Sequence, residues 1–256
     1  MRRLVRWLCA RVLPPIAYPV LIGPLRGSWF ILRAAAGEGG GASVFVNGVE
    51  PAKTRALLGI LKPGQVVFDV GANIGYYTLL ASRVVGRAGR VVACEPSPRN
   101  ISYLHRHITL NGATNVTVIP AGCYDRSGLM AFDAGRDWAA GHLVEDAVPA
   151  NGHRDLVSTV ALDEIVRASG LLPDVLKIDV EGAELHVLAG ASKTLASARP
   201  IVLLGVHSSE LKSACTSFLV ARGYGEPSIC EEVEGDTELL FKPASVPTAV
   251  SVDPRR

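Results

Sequence analysis

Five short apolar runs, rich in β-branched residues and ending in polar ones, punctuate the chain. They are VVFDV (66–70), VVACE (91–95), VTVIP (116–120), VLKIDV (175–180) and IVLLGVH (201–207). Between and after them, 75–85, 98–111, 184–197 and 209–222 carry apolar residues at helical spacing. Near-continuous apolar strands separated by helices predict a parallel sheet covered on both faces, the doubly wound α/β architecture. The segment 121–174 breaks the rhythm with glycines and polar residues. It predicts an insertion or hairpin near the mouth of the site, with strands near Leu129–Phe132 and Leu156–Val160. The late run TELLFKP reads as a last strand pairing with residues near Ser228–Cys230, and the unpatterned 246–256 reads as a disordered tail.

Charge adds an asymmetry. The formal net charge is +2, yet residues 1–36 carry six arginines and no acid, which leaves the remainder at −4. A body of that sign is poorly suited to the phosphate backbone of nucleic acids, so no nucleic-acid partner is expected. The five cysteines are scattered without a Cys-x-x-Cys pair, which excludes a disulfide framework or zinc pattern and fits a cytoplasmic protein. At the N-terminus, the uncharged run Val12 to Leu25 has 14 residues and four prolines, too few and too broken for the roughly 20 apolar residues of a spanning helix. Leu4, Val5, Leu8 and Val12 would share one helical face, with Arg2, Arg3 and Arg6 on the other. That pattern suits either a helix on an anionic membrane surface or a short helix packed on the domain. The expected organisation is a basic N-terminal appendage (1–44), a catalytic domain (45–245) and the tail.

The chemistry concentrates at the strand ends. VVFDVGANIGYYTLLAS places Asp69 at the end of one strand, then Gly71, Asn73 and Gly75 at a helix start, where free backbone N–H groups and the missing glycine side chains admit a ligand. The spacing is G-x-x-x-G, and Asn73 stands where a dinucleotide fingerprint needs its second glycine. A pyrophosphate would meet that side chain, and the Gly-Lys-Ser/Thr of a phosphate-binding loop is absent. Glu95, 20 residues after Gly75 and at the end of the next strand, suits ribose hydroxyls. A ligand with a ribose, no phosphate and a cationic centre beside Asp69 points to S-adenosylmethionine. The bland reading is a tight strand-to-helix turn that binds nothing.

These residues carry a resemblance. GQVVFDVGANIGYYTLLAS, VVACEPSPRN, LKIDVEGAELHVLAGA and RPIVLLGVHSSEL are similar to motifs of the FkbM family of S-adenosylmethionine-dependent methyltransferases, over roughly residues 45–245. The resemblance implies a class I methyltransferase core, Rossmann-like and mostly parallel with a C-terminal antiparallel strand. It also implies O-methylation of a sugar, glycolipid or other hydroxyl-bearing metabolite. Similar proteins often carry a glutamate two residues before the fifth-strand histidine, where this chain has Gly205.

Methyl transfer to a hydroxyl is an in-line displacement that needs the acceptor oxygen held at near-attack distance and its proton removed. Asp179 and Glu181 after the fourth strand, Glu184 at the next helix start and His207 at the end of the fifth are the candidates. An unperturbed His207 would titrate in the range of a general base near neutrality. Asp179 could position the methionine amino group, orient the acceptor hydroxyl or act as base. Glu181 and Glu184 are assigned to the substrate, although an N-cap role fits Glu181 as well. This cluster could also take a divalent ion, but no metal is expected. Gly122 and Cys123 are placed at the adenine wall beside Asp125, Lys177 on the same strand face as Asp179, and Asp163 at a helix N-cap. A non-catalytic S-adenosylmethionine-binding or structural protein is the alternative. A nicotinamide oxidoreductase fits less well.

Overall fold

The structure is a computed structural model, and it describes residues 14–32, 42–46, 48–134, 141–144, 155–233 and 236–244. In chain order the described elements begin with a hairpin, β1 (Ala17–Pro19) and β2 (Trp29–Ile31), then a 3-10 turn (Ala42–Val46) and α1 (Pro51–Ile60). The alternating part follows: β3 (Val66–Val70), α2 (Tyr76–Val85), β4 (Arg90–Cys94), α3 (Pro98–Leu110) and β5 (Val116–Ile119). Four strands come next, β6 (Gly122–Tyr124), β7 (Gly128–Asp133), β8 (His142–Val144) and β9 (Asp155–Ala161), then α4 (Leu162–Ser169) and β10 (Val175–Ile178). The chain goes on through α5 (Glu184–Gly190), α6 (Ser192–Ser197), β11 (Ile201–Val206), α7 (Ser209–Val220), β12 (Ser228–Val233) and β13 (Asp236–Phe241).

The central sheet has the order β5-β4-β3-β10-β11-β13-β12, parallel from β5 to β11, with β13 antiparallel to both its neighbours. This is the doubly wound α/β arrangement expected from the pattern, with the late antiparallel strand that the resemblance implies. Successive side chains alternate across the sheet. Val67, Val91, Val175 and Leu203 therefore face one cluster with α1 and α2. Phe68, Val92, Leu176 and Leu204 face the other, built with α4, α5, α6 and α7. Both faces are dry, which is why the strands read as unbroken apolar runs.

The region that broke the rhythm forms a second sheet of order β6-β9-β7-β8, with β7 and β9 on the two stretches expected as strands. Residues 17–32, expected in an appendage, contribute Val20, Leu25, Phe30 and Ile31 to the apolar cluster that covers β3 and β4. His107 on α3 locks them there: its Nε2 accepts from the Ile31 amide at 3.0 Å and its Nδ1 donates to the Ile74 carbonyl at 2.7 Å. Those two bonds fix the neutral tautomer, and burial pushes the imidazole below its ordinary range. The amphipathic stretch 2–12 and the tail 246–256 lie outside the described residues. No described helix is long and apolar enough to cross a membrane.

Candidate active site

Sheet order reverses between β3 and β10, and a crevice opens beyond the carboxyl ends of the strands at such a point. The cavity there has a volume of about 290 Å³. Its lining brings together Gly71, Asn73, Glu95, Gly122, Cys123, Asp179 and Glu181 from the expected set, with Gly141, His142 and Leu143 of the β8 segment as a further wall. Asp69, Gly75, Glu184 and His207 are not part of that lining.

The glycine turn is built by close approach. Gly71 has φ +77°, and a Cβ on it would fall 1.9 Å from the Asp179 carbonyl oxygen. Gly75, the N-cap of α2 at φ +94°, would place a Cβ 2.5 Å from Leu104. The expectation of free amides at this turn is corrected by the structure. The amides of Gly71 and Ala72 donate to the Cys94 carbonyl and that of Gly75 to Ala72. The Asn73 amide donates to Glu95 Oε2 at 2.8 Å, and the Ile74 amide to Asn73 Oδ1 at 2.7 Å. Asn73 folds back onto its own turn in the left-handed region, φ +50°. With five consecutive amides satisfied internally, the turn is a surface to press against and not an anion cradle. That disfavours a pyrophosphate independently of the spacing.

Glu95 is 4% exposed and held in a fixed pose. Besides Asn73, it accepts from the Ser97 amide at 3.0 Å and the Asn100 side chain at 3.2 Å, both at Oε1. Burial pushes its carboxyl up and these donors pull it back. Asp69 does not face the cavity. It accepts from the Thr78 hydroxyl at 2.6 Å and pairs with Lys177 at 3.1 Å. Lys177, expected to support Asp179, lies 3.9 Å from it and also donates to the Gly71 carbonyl at 2.9 Å. Asp163 caps a helix, but not its own: its carboxylate takes the Lys193 and Thr194 amides at the start of α6.

The other half of the site is crowded with charge. Asp179 Oδ1 lies 3.3 Å from His207 Nε2, and its Oδ2 lies 2.8 Å from the Lys53 ammonium. Burial works against its charge, yet Lys53, Lys177 and His207 hold the carboxyl well below the usual carboxylate range. The second nitrogen of His207, Nδ1, lies 3.1 Å from Asp236 Oδ1 and 3.7 Å from Glu181 Oε2. Carboxylates at both nitrogens require two N–H groups. The hydrogen bond to Asp179 leads, and with its neighbours it pushes His207 up to about 10 against burial. The expectation that His207 is a neutral base near pH 7 is therefore corrected: it is an imidazolium there. Burial raises Glu181 and Glu184, and Glu184 spends Oε1 on the Gly182 amide at 3.0 Å. Glu181 does not cap α5, whose N-cap is Ala183.

Sequence reasoning missed Glu50, Lys53 and Glu238. Lys53 bonds all three acids, Glu50 at 2.7 Å, Asp179 at 2.8 Å and Glu238 at 2.5 Å. Glu50 also accepts from the Tyr77 hydroxyl at 3.0 Å. One signal was available: Lys53 interrupts the stripe it shares with Leu57 and Ile60. Gly205 pairs directly with Glu238 across β11 and β13, and the Glu238 carboxylate occupies the space beside the position where a residue-205 side chain would begin.

A family model described as a methyltransferase FkbM domain matches residues 69–224. The hexuronic acid methyltransferase AglP of Haloferax volcanii is 31% identical over 157 residues, 60% of this chain and 61% of that one. The 31-O-demethyl-FK506 methyltransferase FkbM of Streptomyces tacrolimicus is 31% identical over 159 residues, 51% of this chain and 60% of that one. The chain thus spans about three fifths of the length of these two curated relatives. In fold it resembles the solved methyltransferase FkbM from Methylobacillus flagellatus KT, at a TM-score of 0.53 and 21% identity, over 73% of this chain and 50% of that one.

Proposed function

Because the chain belongs to the FkbM family of methyltransferases, whose cofactor is S-adenosylmethionine, we propose that it methylates a hydroxyl group of a sugar, glycolipid or secondary metabolite. The observation that carries this reading is the pairing of two unlike walls around one cavity, a rigid turn with Glu95 on one side and ionised Asp179 on the other. Two of its relatives are named for hexuronic acid and for an O-demethyl substrate, which supports a hydroxyl acceptor.

The cofactor fits the residues present. Glu95 offers carboxylate oxygens to ribose hydroxyls, Gly122 and Cys123 give a small-residue wall for a flat base, and the acidic lining of Glu50, Glu95 and Glu181 suits a sulfonium. When bound, it supplies an electrophilic methyl group. Asp179 accepts a hydrogen bond from the acceptor hydroxyl and orients its lone pair. An alcohol oxygen becomes strongly acidic as its bond to carbon forms, so a carboxylate of low basicity suffices to take the proton late. His207, already charged, keeps Asp179 in place. Phe132 of β7 and His142 and Leu143 of β8 wall the cavity and help exclude water.

The acceptor is read as a small molecule or glycan, and not a nucleic acid, from the acidic balance of the body. A peripheral contact between the arginine-rich N-terminus and an anionic membrane fits the same asymmetry. Co-sedimentation with phosphatidylserine vesicles, with and without residues 1–13, tests it.

The function itself is tested by calorimetric titration of S-adenosylmethionine into the protein and its Glu95→Ala variant, followed by a hydroxyl-acceptor screen with a radiolabelled methyl donor. Binding lost in the variant together with label on an acceptor is the expected result. An intact protein that binds no S-adenosylmethionine would sink the reading.

A further inference from the structure

Lys53 is 2% exposed and its ammonium sits among three carboxylates drawn from distant parts of the chain. Glu50 precedes α1, Asp179 follows β10 and Glu238 lies within β13. An ammonium has three N–H donors, and each of these is matched by one oxygen, at 2.7, 2.8 and 2.5 Å. The three acid oxygens lie within 4.8 Å of one another, a spacing that would otherwise suit a divalent cation. Two further observations show that the cage is built. Gly205 leaves room beside it, since a Cβ there would stand 3.0 Å from both Asp179 Oδ1 and Glu238 Oε1, closer than an ordinary contact. Glu238 is also buried to the point that its Oε2 has no hydrogen-bond partner.

We propose that Lys53 is the resident cation of the acceptor side, a positioning residue whose ammonium fills the Glu50–Asp179–Glu238 cage in place of a divalent ion and so aims Asp179 at the acceptor hydroxyl. The purpose given to Asp179 rests on the methyl-transfer reading; the cage does not. Lys53 spends every donor on the protein and makes no contact with the acceptor. Its charge is secure: burial opposes it, but Asp179, Glu50 and Glu238 raise the ammonium well above its ordinary range. Gly205 spares the two carboxylates beside it a tight contact with a side chain.

The proposal is tested by asking whether a metal takes the place of the lysine. Manganese is titrated by calorimetry into the wild type, Lys53→Ala and Lys53→Ser, and unfolding midpoints are read with and without it. Each variant is expected to bind one equivalent more than the wild type, roughly tenfold or more tightly than any wild-type site, with a raised midpoint. The extra site is expected to vanish in Lys53→Ala/Glu238→Gln. Variants that manganese neither binds nor stabilises overturn the proposal, as does an extra site that survives Glu238→Gln. None of these readouts needs activity, whereas failure of the methyl-transfer reading would show as absent S-adenosylmethionine binding by the wild type.

Discussion

The two walls of the cavity are built by different physics. On the β3–α2–β4 side, contiguous backbone does the work. Gly71 and Gly75 admit close packing, five amides close on the protein itself, and one fixed carboxylate, Glu95, lines the cavity. On the β10–β11–β13 side, the backbone only delivers side chains, and Lys53, Lys177 and His207 balance Glu50, Asp179, Glu181 and Glu238. The first wall is set by shape and the second by charge. A shape-built wall should fail in binding, and a charge-built wall in turnover and in pH dependence.

The largest expected effect is on the charged wall. Asp179→Asn keeps the shape but removes the anion that Lys53 and His207 face, and kcat should fall by roughly 10²–10⁴-fold. S-adenosylmethionine affinity, measured by calorimetry, should move little; an equal loss in both would erase the distinction between the walls. Gly71→Ala attacks the other wall. The left-handed backbone alone costs about 1–3 kcal/mol, and the new methyl would strike the Asp179 carbonyl. A lowered thermal midpoint and weakened cofactor binding are expected together. Glu95→Gln is milder, because the amide keeps one acceptor oxygen. The affinity for S-adenosylmethionine should drop roughly 10–100-fold, as for the loss of hydrogen bonds to a charged group, with kcat at saturation nearly unchanged.

The last contrast is in stability against pH, where two histidines should act with opposite sign. His207 is raised to about 10 from 6.5, so its contribution is whole below about pH 6.5 and is lost as pH rises towards 10. His107 is lowered, so its contribution is whole above about pH 6.5 and is lost as pH falls through its folded value. Denaturant midpoints followed from pH 5 to 10 should show the alkaline slope flattened in His207→Gln and the acid slope flattened in His107→Gln. A common slope in both variants would mean that neither histidine is held as described.

The same contrast explains what the sequence made legible. The parallel sheet was readable because strands buried on both faces are unbroken apolar runs, and VVFDV and VVACE fall on β3 and β4. The glycine turn and Glu95 were readable because everything they need lies within one strand–helix–strand unit. The cage was not. Lys53 meets Asp179 across 126 positions of chain, and no local period announces such a meeting. Glu238 looked like one polar position in a strand until its register opposite Gly205 was known. His207 was placed correctly at its strand end, but its protonation depends on Asp179, Glu181 and Asp236, which arrive from elsewhere. Asp163 shows the same limit on a small scale, since it caps α6 from α4.

The imidazole of His107 ties the N-terminal hairpin to the glycine turn. One ring nitrogen holds Ile31 and the other holds Ile74, one residue before the glycine that starts α2. A ligand that orders the turn is therefore expected to protect the hairpin amides as well, as hydrogen exchange would read. Removing residues 1–36 would thus be no neutral deletion of a basic tail. It would strip Phe30 and Ile31 from the core and leave the Nε2 of a buried ring without its donor. A shorter cut at residue 13 keeps that linkage whole.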